Sequence, residues 1–372
     1  MDKAFYTAEF FKDDSIRAVD AKFEAQKIAF SPLTFQAVRA LKELSILQII
    51  EEAGDEGICI ADIANKAGVS AYGASVLCEI ALGMGILKYT PAAPQEKRLS
   101  LGKIGWMLLE DELTRVNFDF VNDICYKGAY ELCESVKSGR PEGLKFFGSQ
   151  WTTIYEALST LPERAKKSWF AFDHFYSDIA FPEALPIVFA TSQPRHIVDI
   201  GGNTAKWALA CCRYNPDVRL TIVDLPGQTA LAEAAAAKAG FSERIKTLSG
   251  NILAAETVLP RVPDAFWMSQ FLDCFSLVQI TKILAKIHDY ADEKTDVYVL
   301  EPLWDEQRFT ASSYSLQATS LYFTCMANGN SKMYCYGELV EAIEAAGFTL
   351  KASHHNLGSN SYSLLVFRKV AA

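Results

Sequence analysis

The chain has 372 residues, half of them hydrophobic, which is enough apolar material for one large core and a smaller one, so two domains are expected. A formal net charge of −9 supplies no footprint for nucleic acid or anionic lipid, and the longest apolar runs break well short of the roughly 18 residues that a bilayer-spanning helix needs. Nine cysteines stand singly apart from Cys211 and Cys212, with no CxxC pair and no histidine at ligand spacing, so neither a disulfide framework nor a metal site is expected.

The opening "MDKAFYTAEFFKDDSIRAVD" is acidic and aromatic and lacks the basic, apolar and small-residue order of a secretion signal, so a cytoplasmic location is expected. From Phe30 to about Leu101 the text reads as short amphipathic helices. "SPLTFQAVRALKELSILQIIEEA" comes first, then "CIADIANKAG" with Gly68 as C-cap, then "SAYGASVLCEIALGMG" with Ser70 as N-cap. Two short extended runs around "PAAPQEKR" close it as a β-hairpin wing, giving a winged helix. In DNA-binding versions the third helix needs cations for phosphates, but Ser70 to Gly85 carries no Lys or Arg. That helix is apolar all round, which predicts burial, most naturally against a partner subunit.

Residues 105–194 hold aromatic-rich helical stretches, among them "WTTIYEALSTLPERAKKSWFAFDHFYSDIAF", in which Pro162 suits a first helical turn. Most of these rings are expected to be core; some are placed to line a pocket for a flat ring substrate. From His196 onward strands and helices alternate: "HIVDIGG", "TAKWALACCRYN", "RLTIVDLP", "GQTALAEAAAAKAG", "RIKTLSGNI", "AFWMSQFLD", "SLVQITKILAKIHDYAD", "DVYVLEPL", "YGELVEAIEAAG" and a terminal hairpin. The pattern predicts an α/β domain, Rossmann-like, with a mostly parallel sheet and an antiparallel C-terminal hairpin. The expected domains are therefore 1–104, 105–194 and 195–372.

In such a sheet the ligand lies beyond the strand ends, at the switch point after the first strand. There the chain turns through Gly201 and Gly202, next to Asp199 in the strand, and a helix N-terminus follows. Asp224, about 20 residues on, is placed to accept both hydroxyls of a ribose. The combination predicts an adenosine-containing cofactor.

"VDIGGNTAKWALACCRYNPDVRLTIVDLPG" resembles the "VDVGGGTG…NP…DLP" signature of small-molecule O-methyltransferases of the caffeate and hydroxyindole type, which use S-adenosylmethionine. "GNI", "SQFLDCFS", "VLEPL" and "MANGNSKMYCYGELVEAIEAAGF" follow in that family's order, so the resemblance runs from about Phe30 to the C-terminus. It implies the class I methyltransferase fold and a homodimer built through the winged-helix domain. It also implies a small, aromatic hydroxyl acceptor. Gly201, Gly202 and Asn203 would lie near the methionine and ribose portions of the cofactor, Asp224 would take the ribose hydroxyls, and Leu225 would pack on the adenine. Asn251 and Ile252 would hold its edge and face, with Met268 and Ser269 lining the same pocket.

The departures from that pattern are specific. Asn203 and Ala205 replace glycines, Asn251 replaces an Asp, and Asp273, followed by Cys274, stands where the family has its catalytic His. Glu301 matches the orienting carboxylate, and Met333 falls where a second Glu is usual. Asp273 beside Glu301 has the setting for a raised pKa and a base role; His174 in "FDHFYSD" is the other candidate base. His288 and the pair His354–His355 are expected to be solvated. Besides an active O-methyltransferase, two readings stay open: other chemistry on the same cofactor, and a non-catalytic partner subunit.

Overall fold

The computed structural model describes residues 14–90, 97–158 and 160–370. They fall into two compact units that divide between Asp119 and Phe120.

The first unit opens with α1 (Ala18–Glu43) and α2 (Ile46–Glu52), which break at Ser45, whose backbone is left-handed. In α3 (Ile60–Ala67), Ile63 and Ala64 face the core, and Gly68 ends the helix at φ 66°, a conformation that costs glycine little. Ser70 caps α4 (Ala71–Gly83) by accepting the Gly73 N–H at 3.0 Å. The wing is an antiparallel pair, β1 (Leu87–Tyr89) with β2 (Leu99–Leu101), and its predicted tip at 91–96 lies outside the described residues. Helices α5 (Lys103–Glu110) and α6 (Glu112–Phe120) follow, and Leu41, Ile46, Leu47, Ile50, Ile63 and Cys78 form the core. The all-round apolar α4 buries only one face in this chain, through Ala74, Cys78 and Ala81. Tyr72 (80% exposed), Val76 and Ile80 line the other face, at the i, i+4, i+8 spacing of one helical stripe.

The second unit begins with helices: α7 (Leu132–Ser138), α8 (Ile154–Ala157), α9 (Glu163–Ser177) and α10 (Phe181–Thr191). Its sheet contains β3 (His196–Ile200), β4 (Arg219–Asp224), β5 (Ile245–Ser249), β6 (Ala265–Ser269), β7 (Asp296–Glu301), β8 (Phe348–Leu357) and β9 (Tyr362–Lys369) in the order β5-β4-β3-β6-β7-β9-β8. The first five strands of that order are parallel; β9 runs antiparallel to β7, and β8 to β9. The chain winds outward from β3 to β5 and then returns to β6 on the other side of β3, so the switch point falls between β3 and β6. Every residue of β7 is buried, as expected of a strand covered on both faces. Helices α11 (Lys206–Tyr214), α12 (Pro226–Lys238), α13 (Leu277–Tyr290), α14 (Thr310–Tyr322) and α15 (Tyr336–Glu344) complete the unit.

The sequence gives no clear signal for helix α14, because "TASSYSLQATSLY" is rich in residues that compete with helical hydrogen bonding. In place, the hydroxyls of Ser315, Thr319 and Ser320 donate back to the carbonyls of Ala311, Ser315 and Leu316, so the helix absorbs them. The histidines expected in solvent are half-buried instead, because the terminal hairpin packs as the sheet's edge. The His288 ring meets Phe348 edge-on at 5.6 Å, and His355 Nδ1 lies 3.0 Å from Ser363 Oγ and 3.3 Å from Glu306 Oε2; His354 is half-buried beside it.

Candidate functional site

The turn after β3 is built by close approaches. Gly201 has φ 76° and donates its N–H to the Val223 carbonyl at 2.9 Å, and any side chain there would run into the Phe271 ring. A Cβ on Gly202 would sit 2.7 Å from Asp199 Oδ2. The two non-glycine departures, Asn203 (φ 45°) and Ala205 (φ 63°), adopt the left-handed backbone themselves, Ala205 as the residue preceding α11. Asn203 is held at both ends: its backbone N–H donates to Asp224 Oδ2 at 2.9 Å and its side-chain Nδ2 to Asp173 Oδ2 at 3.0 Å. Asp224 Oδ1 accepts the Leu225 N–H at 2.7 Å. Burial raises the Asp224 carboxyl, and those two backbone bonds pull it back toward ionisation.

A cavity of about 470 Å³ opens at this turn, inside the second unit. Asp199, Gly201, Gly202, Asn203, Asp224 and Leu225 line it, as do Asn251, Ile252 and Ser269 farther along the strand ends. Met268 does not: it is fully buried in the sheet's core. Asn251 lends its Oδ1 to the Leu253 N–H at 2.9 Å and so also shapes its own loop. Several lining residues carry buried polar atoms without a partner among the described residues: Asp199 Oδ2, Asn203 Oδ1, Thr204 Oγ1, Trp207 Nε1, Trp267 Nε1 and Ser269 Oγ. Native interiors rarely strand so many groups in one place, and both acceptors and donors are represented, which suits a ligand with an ammonium and a carboxylate.

The loop after β6 is tightly anchored. Glu301 Oε1 accepts the N–H groups of Phe271 and Leu272 at 3.0 and 2.8 Å, Asn328 Nδ2 donates to the Cys274 carbonyl at 2.7 Å, and Tyr334 Oη donates to the Phe275 carbonyl at 2.6 Å. Asp273 is 3% exposed and Glu301 2%, and neither lines the cavity. Burial pushes the Asp273 carboxyl up to about 7 against the pull of Cys274, whose thiol donates to Asp273 Oδ1 at 3.4 Å. Burial, and then the Asp273 charge, raise Glu301 as well. Met333 is buried and takes no part in the cavity wall.

Helix α9 supplies the opposite wall. His174 lines the cavity, its pKa lowered by burial, with its Nδ1 3.9 Å from Asp178 Oδ2 and its ring stacked on Phe170. Asp173 also lines the cavity, and sequence reasoning passed over it. Burial and the charges of Asp273 and Asp178 push its carboxyl up to about 7, against the Asn203 hydrogen bond. Its only sequence signal was adjacency to His174; its partner Asn203 is 30 residues away.

Two family models match the chain: a Dimerisation2-like domain over residues 22–93 and an O-methyltransferase domain over residues 129–349, more than half of the chain. The L-tyrosine C(3)-methyltransferase of Streptomyces lavendulae is 23% identical over 324 residues, spanning 86% of this chain and 85% of that protein. Among solved structures, the S-adenosylmethionine-dependent methyltransferase SibL, in its apo form, superposes with a TM-score of 0.69 at 21% identity, covering 93% of this chain and 98% of that one. An O-methyltransferase from neocarzinostatin biosynthesis, in complex with S-adenosylmethionine and 2-hydroxy-5-methyl naphthoic acid, gives a TM-score of 0.63 at 20% identity, covering 91% and 96%. The strand order and the antiparallel terminal hairpin are thus those of class I methyltransferases, with a helical dimerisation domain in front.

Proposed function

The chain belongs to the O-methyltransferase domain family, and from that premise we propose that it transfers a methyl group from S-adenosylmethionine to the hydroxyl of a small aromatic acceptor. The observation that carries the reading is the cradle at the switch point, where Asp224, fixed by the N–H groups of Asn203 and Leu225, faces a cavity with unsatisfied donors and acceptors. S-adenosylmethionine, when bound, supplies an electrophilic methyl group on a sulfonium. Asp224 would accept the ribose hydroxyls, Leu225 and Ile252 would cover the adenine, and Asn251 would meet its edge. Asp199 and Asn203 Oδ1 offer acceptors for the methionine ammonium; Thr204, Trp207 and Ser269 offer donors for its carboxylate.

Phe271 and Phe275, with ring centroids 4.9 Å apart and planes inclined by 59°, give the cavity an apolar aromatic wall, and Trp169 and Tyr155 supply aromatic faces from the helical segment. Such walls hold an aromatic ring by stacking and keep water from the reacting atoms. Glu301 fixes the loop that carries Phe271. In-line positioning of acceptor oxygen and donor carbon can supply several kcal/mol of rate acceleration without a metal. The exposed stripe Tyr72, Val76 and Ile80 of α4 suits a homodimer built through the N-terminal unit.

A second reading, transfer to a ring carbon ortho to the hydroxyl, draws support from the tyrosine C(3)-methyltransferase relative. Both reactions start from the same ionised phenol. Incubation with label in the donor methyl, S-adenosylhomocysteine calorimetry and product NMR against phenols, naphthols and L-tyrosine test the proposal. A methyl ether supports the first reading and an aryl methyl the second. Neither binding nor label transfer would overturn both, leaving the non-catalytic subunit.

A further inference from the structure

Resting on that reading, we infer that Asp173 is the general base, the group whose carboxylate takes the proton of the acceptor hydroxyl. The carboxyls at the motif positions are poorly placed for it: Asp273 and Glu301 are buried behind the cavity wall, and Glu301 Oε1 is spent on the N–H groups of Phe271 and Leu272. Asp173 stands in the wall itself. Its Oδ2 is anchored by Asn203 Nδ2 at 3.0 Å, and Oδ1 has no hydrogen-bond partner among the described residues. One oxygen fixed and the other with no hydrogen bond to a described residue is the arrangement a base needs: the carboxylate is aimed, yet it still has a lone pair to receive a proton.

The charged and titratable groups that face Asp173 are Asp273 from the loop after β6, Asp224 at the end of β4, Asp178 after α9, and the Tyr322 phenol from α14. No cation pairs with it among the described residues, because Lys206 Nζ is engaged by Asp178 Oδ2 at 3.2 Å. This setting keeps the carboxyl near 7, so at neutral pH a large fraction is ionised and still basic enough to matter. His174, one residue on and so rotated by about 100° around the helix, lines the cavity too, but its Nδ1 lies toward Asp178, 3.9 Å from Oδ2, its ring stacks on Phe170, and no described hydrogen bond fixes it as Asn203 fixes Asp173. The departure at Asn203 therefore acquires a purpose. A glycine could form the turn, but only a side chain here can hold Asp173.

In the step, the acceptor O–H bond breaks and its proton goes to Asp173 Oδ1 while the electron pair stays on oxygen. That pair forms the O–C bond as the donor's C–S bond breaks with its pair left on sulfur, and Asp173 later yields the proton to solvent.

The test compares wild type with Asp173→Asn, Asp173→Glu, His174→Gln and Asp273→Asn. It measures S-adenosylhomocysteine affinity by calorimetry and label transfer to a mixture of catechol, 2-naphthol and L-tyrosine from pH 5 to 9. Asp173→Asn is expected to bind S-adenosylhomocysteine within threefold of wild type, which also shows that it is folded. Its kcat should fall a hundredfold or more, and the rise in rate through pH 7 should disappear. Asp173→Glu should restore part of the rate and of the rise. Asp173→Asn with wild-type kcat, or with affinity and rate lost in parallel, would overturn the assignment, as would loss of the pH 7 rise in His174→Gln instead. Asp273→Asn, which removes a charge that raises Asp173, should only move the rise to lower pH, and its complete disappearance there would also overturn the assignment. A wild type that binds no S-adenosylhomocysteine and transfers no label overturns the underlying reading itself.

Discussion

Trp207 of α11 and Trp267 of β6 lie face to face, with ring centroids 3.7 Å apart and planes inclined by 7°, and neither indole N–H has a partner among the described residues. Both are buried to within 2% exposure and both line the cavity. The pair joins the helix that opens at the cofactor turn to the strand on the other side of the switch point, so it is at once core and cavity floor. Truncating either ring removes a large buried surface, and Trp267→Ala is expected to lose about 3–5 kcal/mol of stability in denaturant titrations. The conservative Trp267→Phe should fold and bind S-adenosylhomocysteine, but with a smaller ligand-induced change in intrinsic fluorescence than wild type. An unchanged spectral response would remove the pair from the cofactor's surroundings.

Asp224 is the residue on which the cofactor assignment rests most heavily. Two backbone N–H bonds hold its carboxylate, at 2.9 and 2.7 Å, leaving further lone pairs for hydroxyls. Hydrogen bonds to a charged group contribute about 1.5–3 kcal/mol each, so Asp224→Ala is expected to weaken S-adenosylhomocysteine binding by tenfold or more in calorimetry. Equal affinity in this variant would contradict the placement of the ribose.

Ala205 gives a test of the turn that is independent of ligand. It is fully buried at φ 63°, where an L-residue pays about 1–2 kcal/mol. Glycine relieves that strain but loses a buried methyl worth about 0.8 kcal/mol and adds freedom to the unfolded chain. Ala205→Gly is thus expected to change stability by less than about 1 kcal/mol in either direction, measured by urea unfolding, while Ala205→Val, branched at Cβ, should be destabilised well beyond that. The departure from a glycine is then a tolerated one, and it does not disable the turn.

The inner strands were readable from sequence because β3, β4, β6 and β7 are largely apolar runs that end at Gly, Asp or Pro turns, and because a helix follows β3, β4 and β6. The turn at Gly201–Asn203 and the strand-end Asp224 were readable for the same reason: local spacing fixes them. Helix α14 was hidden by its Ser and Thr content, which only the folded helix accommodates. The cavity wall opposite the turn was hidden more deeply. Alignment of motifs points to Asp273, yet whether that side chain reaches the cavity depends on how Glu301, Asn328 and Tyr334 anchor its loop, and those residues lie 28, 55 and 61 positions away in sequence. Asp173 matters through Asn203, a pairing that no local pattern encodes.

The buried carboxyls also set the pH dependence of stability. Asp273 and Asp173 are raised to about 7 and Asp199 to about 8, burial being the first cause in each. In the unfolded chain such groups titrate near 3.9. Between those values the folded form binds more protons than the unfolded one, so each group's contribution is fully present below about pH 4 and is lost as pH rises through 7 to 8. The ligand-free protein is therefore expected to lose stability across that window, opposite in sign to an ion-paired carboxylate. Asp273→Asn removes one titrating group and the charge that raises Glu301, so its urea-unfolding free energy should fall less than that of wild type between pH 4.5 and 8, by on the order of 1–3 kcal/mol. The comparison of slopes cancels the exposed acids common to both proteins. Parallel curves for the two would mean that Asp273 is ionised in the fold after all, and that the loop after β6 admits more water or a closer cation than the structure contains.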